Sequence, residues 1–139
     1  MRIEKSFGIW SKEFTQGYAA GETGMDRWIA WDKGDFVGRE AALAEREAGP
    51  ARRLVTLEVD APGADAGGYE PVWRDGWRVG FVTSGAYGHC LGKSLAMALV
   101  EPGLAELGTE LSPHIVGFER AARVLAPSPY DPTGARMRG

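Results

Sequence analysis

The spacing of apolar side chains changes along this chain from helical to extended. Near the start, Ile3, Phe7 and Trp10 recur at i, i+4 and i+7, predicting a short helix or helix end over residues 2–14. A Gly- and Ala-rich passage, Gly17 to Gly24, follows. From Arg27 to Asp32 the pattern alternates, Trp28 and Ala30 opposing Ile29 and Trp31, as in a brief strand. Good helix formers then fill residues 39–48, and Gly49 with Pro50 supplies a stop.

Beyond that helix the period falls to two. Val55, Leu57 and Val59 share one face of a segment running from Arg53 to Asp60. Residues 61–68 predict a flexible loop without packing side chains. Asp75-Gly76, between Trp73 and Trp77, is a strong hairpin signal inside residues 72–82. Ser94 to Val100 sets Leu95, Met97 and Leu99 against Ala96, Ala98 and Val100, so this strand should be buried on both faces. Pro113 makes Leu111 to Val116 an edge strand or a strand start. Ala121 to Leu125 would pair back across the turn at residues 117–120. With 20 glycines dividing the chain into short pieces, the expected class is α+β. A short mixed helical and strand remnant over residues 1–50 precedes a small antiparallel β-barrel of about six strands over residues 51–139.

Composition narrows the function classes. A net charge of −3 argues against general nucleic-acid binding, which needs excess Lys and Arg along a phosphate-tracking surface. No apolar run approaches the roughly 18 residues of a membrane span, and the N-terminus lacks a signal-peptide layout. A cytoplasmic or matrix-type compartment is the expectation, and the single Cys90 fits a reducing one. Neither a phosphate loop nor a dinucleotide fingerprint is present. His89, Cys90 and His114 do not provide metal-ligand spacing. On a strand His89 and Cys90 would point to opposite faces, leaving the thiol without an activating base.

Several blocks in order carry a family resemblance. Arg2-Ile3-Glu4-Lys5-Ser6-Phe7 with Trp10 looks like an R-L-E-K-x-[FY]-x-x-W helix. Glu22-Thr23-Gly24-Met25 stands where P-x-E-A-G-L is usual, with Ala20 or Gly21 replacing the proline and Met25 the leucine. Asp32 to Glu40 reads D-K-G-D-F-V-G-R-E without a gap, and Gly80 to Val100 holds V-T-S-G-x-x-G-x-x-L-G-K. Pro129-Tyr130-Asp131-Pro132 and Arg136-Met137-Arg138 close the set. Together these resemble the C-terminal part of the folate-binding aminomethyltransferase family, which includes the glycine-cleavage T-protein and the folate domains of sarcosine and dimethylglycine dehydrogenases. Lys5 and Trp10 bring the chain nearer the dehydrogenase branch.

The resemblance implies tetrahydrofolate as ligand and the transfer to it of a one-carbon unit from an oxidised N-methyl amine. It makes Glu4 the pterin-binding residue, because a carboxylate can accept the two parallel N–H donors of a 2-amino-4-oxopyrimidine edge. Trp10 would lie near the flat ligand. Lys33 would meet the p-aminobenzoyl-glutamate carboxylates as a point charge where the glycine-cleavage branch has arginine. Arg136 would reach folate from the tail, and Glu22 either caps a turn or touches ligand. The family's catalytic aspartate, its upstream tyrosine and, in the dehydrogenases, the FAD domain all belong to a portion N-terminal to this chain. The rest of a parent enzyme, or self-association, should therefore cover the apolar face of residues 2–31. The alternative is a non-catalytic barrel serving as scaffold or subunit interface.

Overall fold

The computed structural model describes residues 2–138, the side chain of Met137 excepted. Seven strands carry the fold: β1 Arg53–Val59, β2 Pro71–Arg74, β3 Trp77–Gly88, β4 Lys93–Val100, β5 Glu110–Ile115, β6 Phe118–Glu119 and β7 Ala122–Leu125. Their order is β2-β3-β4-β1-β7-β5-β6, and a further β2–β5 pairing joins the ends. Six strands thus close an antiparallel barrel, and the two-residue β6 hangs on β5 as an extra. The α+β reading with a six-stranded barrel holds.

Period-two burial builds the interior. Val55, Leu57 and Val59 of β1 point inward with Val72, Val79, Val82, Ala96, Ala98, Val100, Leu111, Ile115 and Val124. The outer face of β4 is covered as well: Leu95 and Met97 pack with Ile3, beside Leu54, Leu91 and Leu125. That second cluster is why β4 reads apolar on both sides, and it seats the N-terminal residues on the barrel wall. The hairpin at Asp75-Gly76 forms as expected, both residues at positive φ, 51° and 80°.

The N-terminal fifty residues depart from expectation more than the barrel does. A single 3₁₀ turn at Ile3–Lys5 replaces the helix over residues 2–14, because Ser6 takes left-handed φ of 54° and ends it. Ile3 is buried but Phe7 and Trp10 are exposed, so their helical spacing marks no common face. The strand expected from Arg27 to Asp32 is instead a 3₁₀ turn at Asp26–Trp28; Trp28 is exposed and no neighbouring strand pairs with it. Two helices lie here, α1 Ala20–Thr23 and α2 Arg39–Ala48, the latter with the expected bounds and Gly49 at positive φ. Glu22 proves to be a cap: its carboxylate accepts the Ala19 N–H at 2.9 Å and meets Arg52 Nε at 2.6 Å.

Three further expectations need correction. The 61–68 loop does pack, with Ala66 buried against the core and Ala61 and Ala64 beside it. Pro113 does not make β5 an edge strand; it faces Val72 of β2 within the closed wall. His89 and Cys90 lie in the turn after β3 rather than on a strand, so the opposite-face rule does not apply to them.

Candidate functional site

Three stretches of chain meet around Glu4 on the outer wall of the barrel. The first is the 3₁₀ turn itself, held down by Ile3 on Leu95 and Met97. The second is the β3–β4 turn, residues 89–92, whose Cys90 and Leu91 N–H groups donate to Glu4 Oε1 at 2.7 and 3.2 Å. The third is the segment after β7, where the Tyr130 N–H donates to the Glu4 carbonyl at 2.9 Å. Around it, Ser128 Oγ donates to the Lys5 carbonyl at 2.8 Å, and Lys5 Nζ donates to the Asp131 carbonyl and lies 3.8 Å from its carboxylate. Ser6 Oγ accepts from Thr56 and from the Ser128 N–H, tying strand, turn and tail at one atom.

Glu4 is fully buried. Burial by itself pushes its carboxyl up, but hydrogen bonds, those from Cys90 and Leu91 among them, more than offset that and hold it below its ordinary value. The group is therefore an ionised, dry and fixed acceptor at neutral pH. Gly88, at the end of β3, makes this possible: a Cβ there would sit 3.0 Å from Glu4 Cγ.

Arg136 belongs to the same neighbourhood. It lies on α3 Ala135–Arg138 and donates from Nη1 to the Tyr130 hydroxyl at 3.1 Å, a bond that holds its guanidinium above its ordinary value. Trp10 and Lys33 stand elsewhere on the N-terminal segment. Trp10 is 82% exposed, and Lys33 projects its ammonium 4.5 Å over the ring of Phe36. The structure brings Glu4 and Arg136 to one tail segment and leaves the other two in solvent.

Glu13 is the residue that sequence reading missed. Its carboxylate is wholly buried and accepts from Thr83 Oγ1 at 2.7 Å, Ser84 Oγ at 2.6 Å and the Ile9 N–H at 2.9 Å, with Arg2 Nη1 3.6 Å away. Two adjacent strand residues reach one oxygen because the β3–β4 register shifts between Val82 and Ser84, a bulge that turns both hydroxyls the same way. No periodicity announces such a contact. The available signal was the pair of hydroxyl residues, Thr83-Ser84, in a glycine-rich strand whose only charged residue is Arg78.

Set against known proteins, residues 52–131 match the model of the glycine cleavage T-protein C-terminal barrel domain. The chain belongs to this barrel family. Among the family's curated relatives, the aminomethyltransferase of Moorella thermoacetica is 37% identical over 125 residues, 90% of this chain and 34% of that protein. The mitochondrial dimethylglycine dehydrogenase of Mus musculus is 33% identical over 126 residues, 90% of this chain and 14% of that protein. Thus the chain spans about a third of the matched aminomethyltransferases and about a seventh of the dehydrogenases. The fold is shared with the glycine cleavage system aminomethyltransferase T from Bartonella henselae, at TM-score 0.86 and 23% identity, over 94% of this chain and 37% of that one.

In donor chemistry, Glu4 offers a buried carboxylate, the acceptor type a pterin edge would need, with its Oε1 bonded by the Cys90 and Leu91 N–H groups. Arg136 is an exposed cation on the tail, bonded to Tyr130.

Proposed function

We propose that this chain is the tetrahydrofolate-binding C-terminal portion of an aminomethyltransferase-like enzyme, most like the sarcosine and dimethylglycine dehydrogenases. Such an enzyme passes a one-carbon unit from an oxidised N-methyl amine to tetrahydrofolate. The observation that carries the reading is the state of Glu4: a carboxylate at the family's pterin position, fully buried, held below its ordinary value and bonded by the Cys90 and Leu91 N–H groups. A fixed acceptor of this kind loses little entropy when it takes up the paired N–H donors of a 2-amino-4-oxopyrimidine. Relatives named aminomethyltransferase and dimethylglycine dehydrogenase both support the class.

Tetrahydrofolate, when bound, supplies the amine nitrogens that take up the one-carbon unit. The residues of this chain bind and orient it. Glu4 would hold the pterin, Arg136 and Lys33 the carboxylates of the glutamate tail, and Trp10 would lie against a flat part of the ligand. Acid–base catalysis and amine oxidation would fall to other parts of the parent enzyme.

Titration of the chain with 5-formyltetrahydrofolate, read by tryptophan fluorescence, tests this. Saturable quenching is expected, with Glu4→Ala weakening binding about 100-fold, the scale of losing charge-assisted hydrogen bonds. Circular dichroism on both proteins separates lost binding from lost folding. A folded wild-type chain that does not bind would overturn the reading that it carries a pterin site.

A further inference from the structure

Glu13 is fully buried and charged, yet nothing in the pterin reading uses it directly. All of its contacts bridge one boundary. Thr83 and Ser84, on its one side, belong to the barrel; Ile9 and Arg2, on the other, belong to the N-terminal segment. Arg2 in turn is bonded into the turn that bears Glu4. Its carbonyl accepts the N–H groups of Lys5 and Phe7, both at 3.1 Å, and its Nη1 donates back to the Phe7 carbonyl at 2.8 Å. The apolar seat under Ile3 holds this turn to the wall but sets no orientation, since dispersion and burial are not directional. Orientation comes from directional polar contacts: the bonds from Ser128 and Tyr130 on the tail side, and on the other side Arg2, which is paired with Glu13 at 3.6 Å.

We propose that Glu13 is a positioning residue for the pterin site: through Arg2 it fixes the turn that presents Glu4 to the ligand. The inference rests on the folate reading for its consequence, and on contacts alone for its geometry. Packing at Gly8 agrees with a tightly specified path between the two glutamates, for a Cβ there would fall 2.6 Å from Phe14 Cζ and 2.9 Å from Glu13 Cβ. Glutamine at position 13 keeps the shape and one acceptor oxygen, but it removes the charge that Arg2 faces.

Amide hydrogen exchange of Cys90, whose N–H is bonded to Glu4, reports the positioning without any ligand. In Glu13→Gln the Cys90 amide should exchange at least about 10-fold faster while those of Ala96 and Ala98 in β4 keep their protection, the pattern of local rather than global opening. In parallel, affinity for 5-formyltetrahydrofolate should fall about 10-fold in Glu13→Gln and in Arg2→Met, and no further in the double variant, as expected for members of one network. Unchanged Cys90 exchange in a folded Glu13→Gln would overturn the proposal. Should that variant fail to fold, Arg2→Met carries the same exchange test, because it leaves the bonds from Thr83 and Ser84 in place. Faster Cys90 exchange in a chain whose wild type does not bind 5-formyltetrahydrofolate would uphold the positioning of Glu4 and overturn the folate reading separately.

Discussion

Two buried glutamates dominate the chain at the scale of single residues, and pH addresses both. In Glu13, burial works to raise the carboxyl; hydrogen bonds from Ser84, Thr83 and the Ile9 N–H, with the charge of Arg2, outweigh it and lower the folded-state value below the ordinary 4.5. A group whose pKa is depressed on folding stabilises the native state at pH above its unfolded value. That contribution is lost as pH falls through the folded value. Glu13→Gln should therefore destabilise the chain by about 2 kcal/mol at pH 7, the worth of hydrogen bonds to a buried charge. The gap between variant and wild type should narrow as pH drops below 4.5. Urea unfolding of both proteins across that range measures it, and a gap independent of pH would contradict the account.

Among the elements, the β3–β4 pairing governs where the site sits. It is the longest ladder in the barrel, running from Gly80↔Val100 to Gly88↔Lys93, and its far end delivers residues 89–92 to Glu4. Close approach along it depends on glycine. A Cβ at Gly80 would run into the Leu99 carbonyl oxygen on the neighbouring strand, so backbone and not a flexible side chain would have to yield. Gly80→Ala should cost about 2 kcal/mol, the range of overpacking in a closed core. Thermal unfolding checks this. Gly103, where nothing lies within 4 Å of an added Cβ, makes the control: Gly103→Ala should leave the midpoint almost unmoved.

For the molecule as a whole, the barrel closes on itself and the N-terminal segment lies against its outer wall. The barrel interior is enclosed, with Trp77 and Phe118 exposed on its outside, and in the N-terminal segment Phe7 is 51%, Trp10 82% and Trp28 72% exposed. Large aromatic side chains left in water favour association when they gather on one segment. The chain alone should gain mass with concentration in size-exclusion chromatography with light scattering, and Trp10→Ser with Trp28→Ser should suppress that gain. A constant monomer mass at low and high concentration would contradict it. No helix among the described residues is long and apolar enough to cross a membrane.

Sequence alone determined what is local or periodic. The alternation at Val55, Leu57 and Val59, the Asp75-Gly76 turn, α2 with its Gly49 stop, and the doubly apolar β4 were all legible, because each depends on neighbours a few residues away. Family motifs marked Glu4, and the tertiary structure showed it buried beneath a collar made from residues 90–91 and 128–131. Only the folded chain decided that Phe7 and Trp10 lie outside the core, that Ala66 lies inside it, and that Pro113 sits within a closed wall. Glu13 makes the reason plain. Its partners lie seventy positions away at Thr83 and seventy-one at Ser84, and a bulge aims them at it. Periodicity carries no information about contacts of that range; barrel closure and the register of β3 on β4 create them.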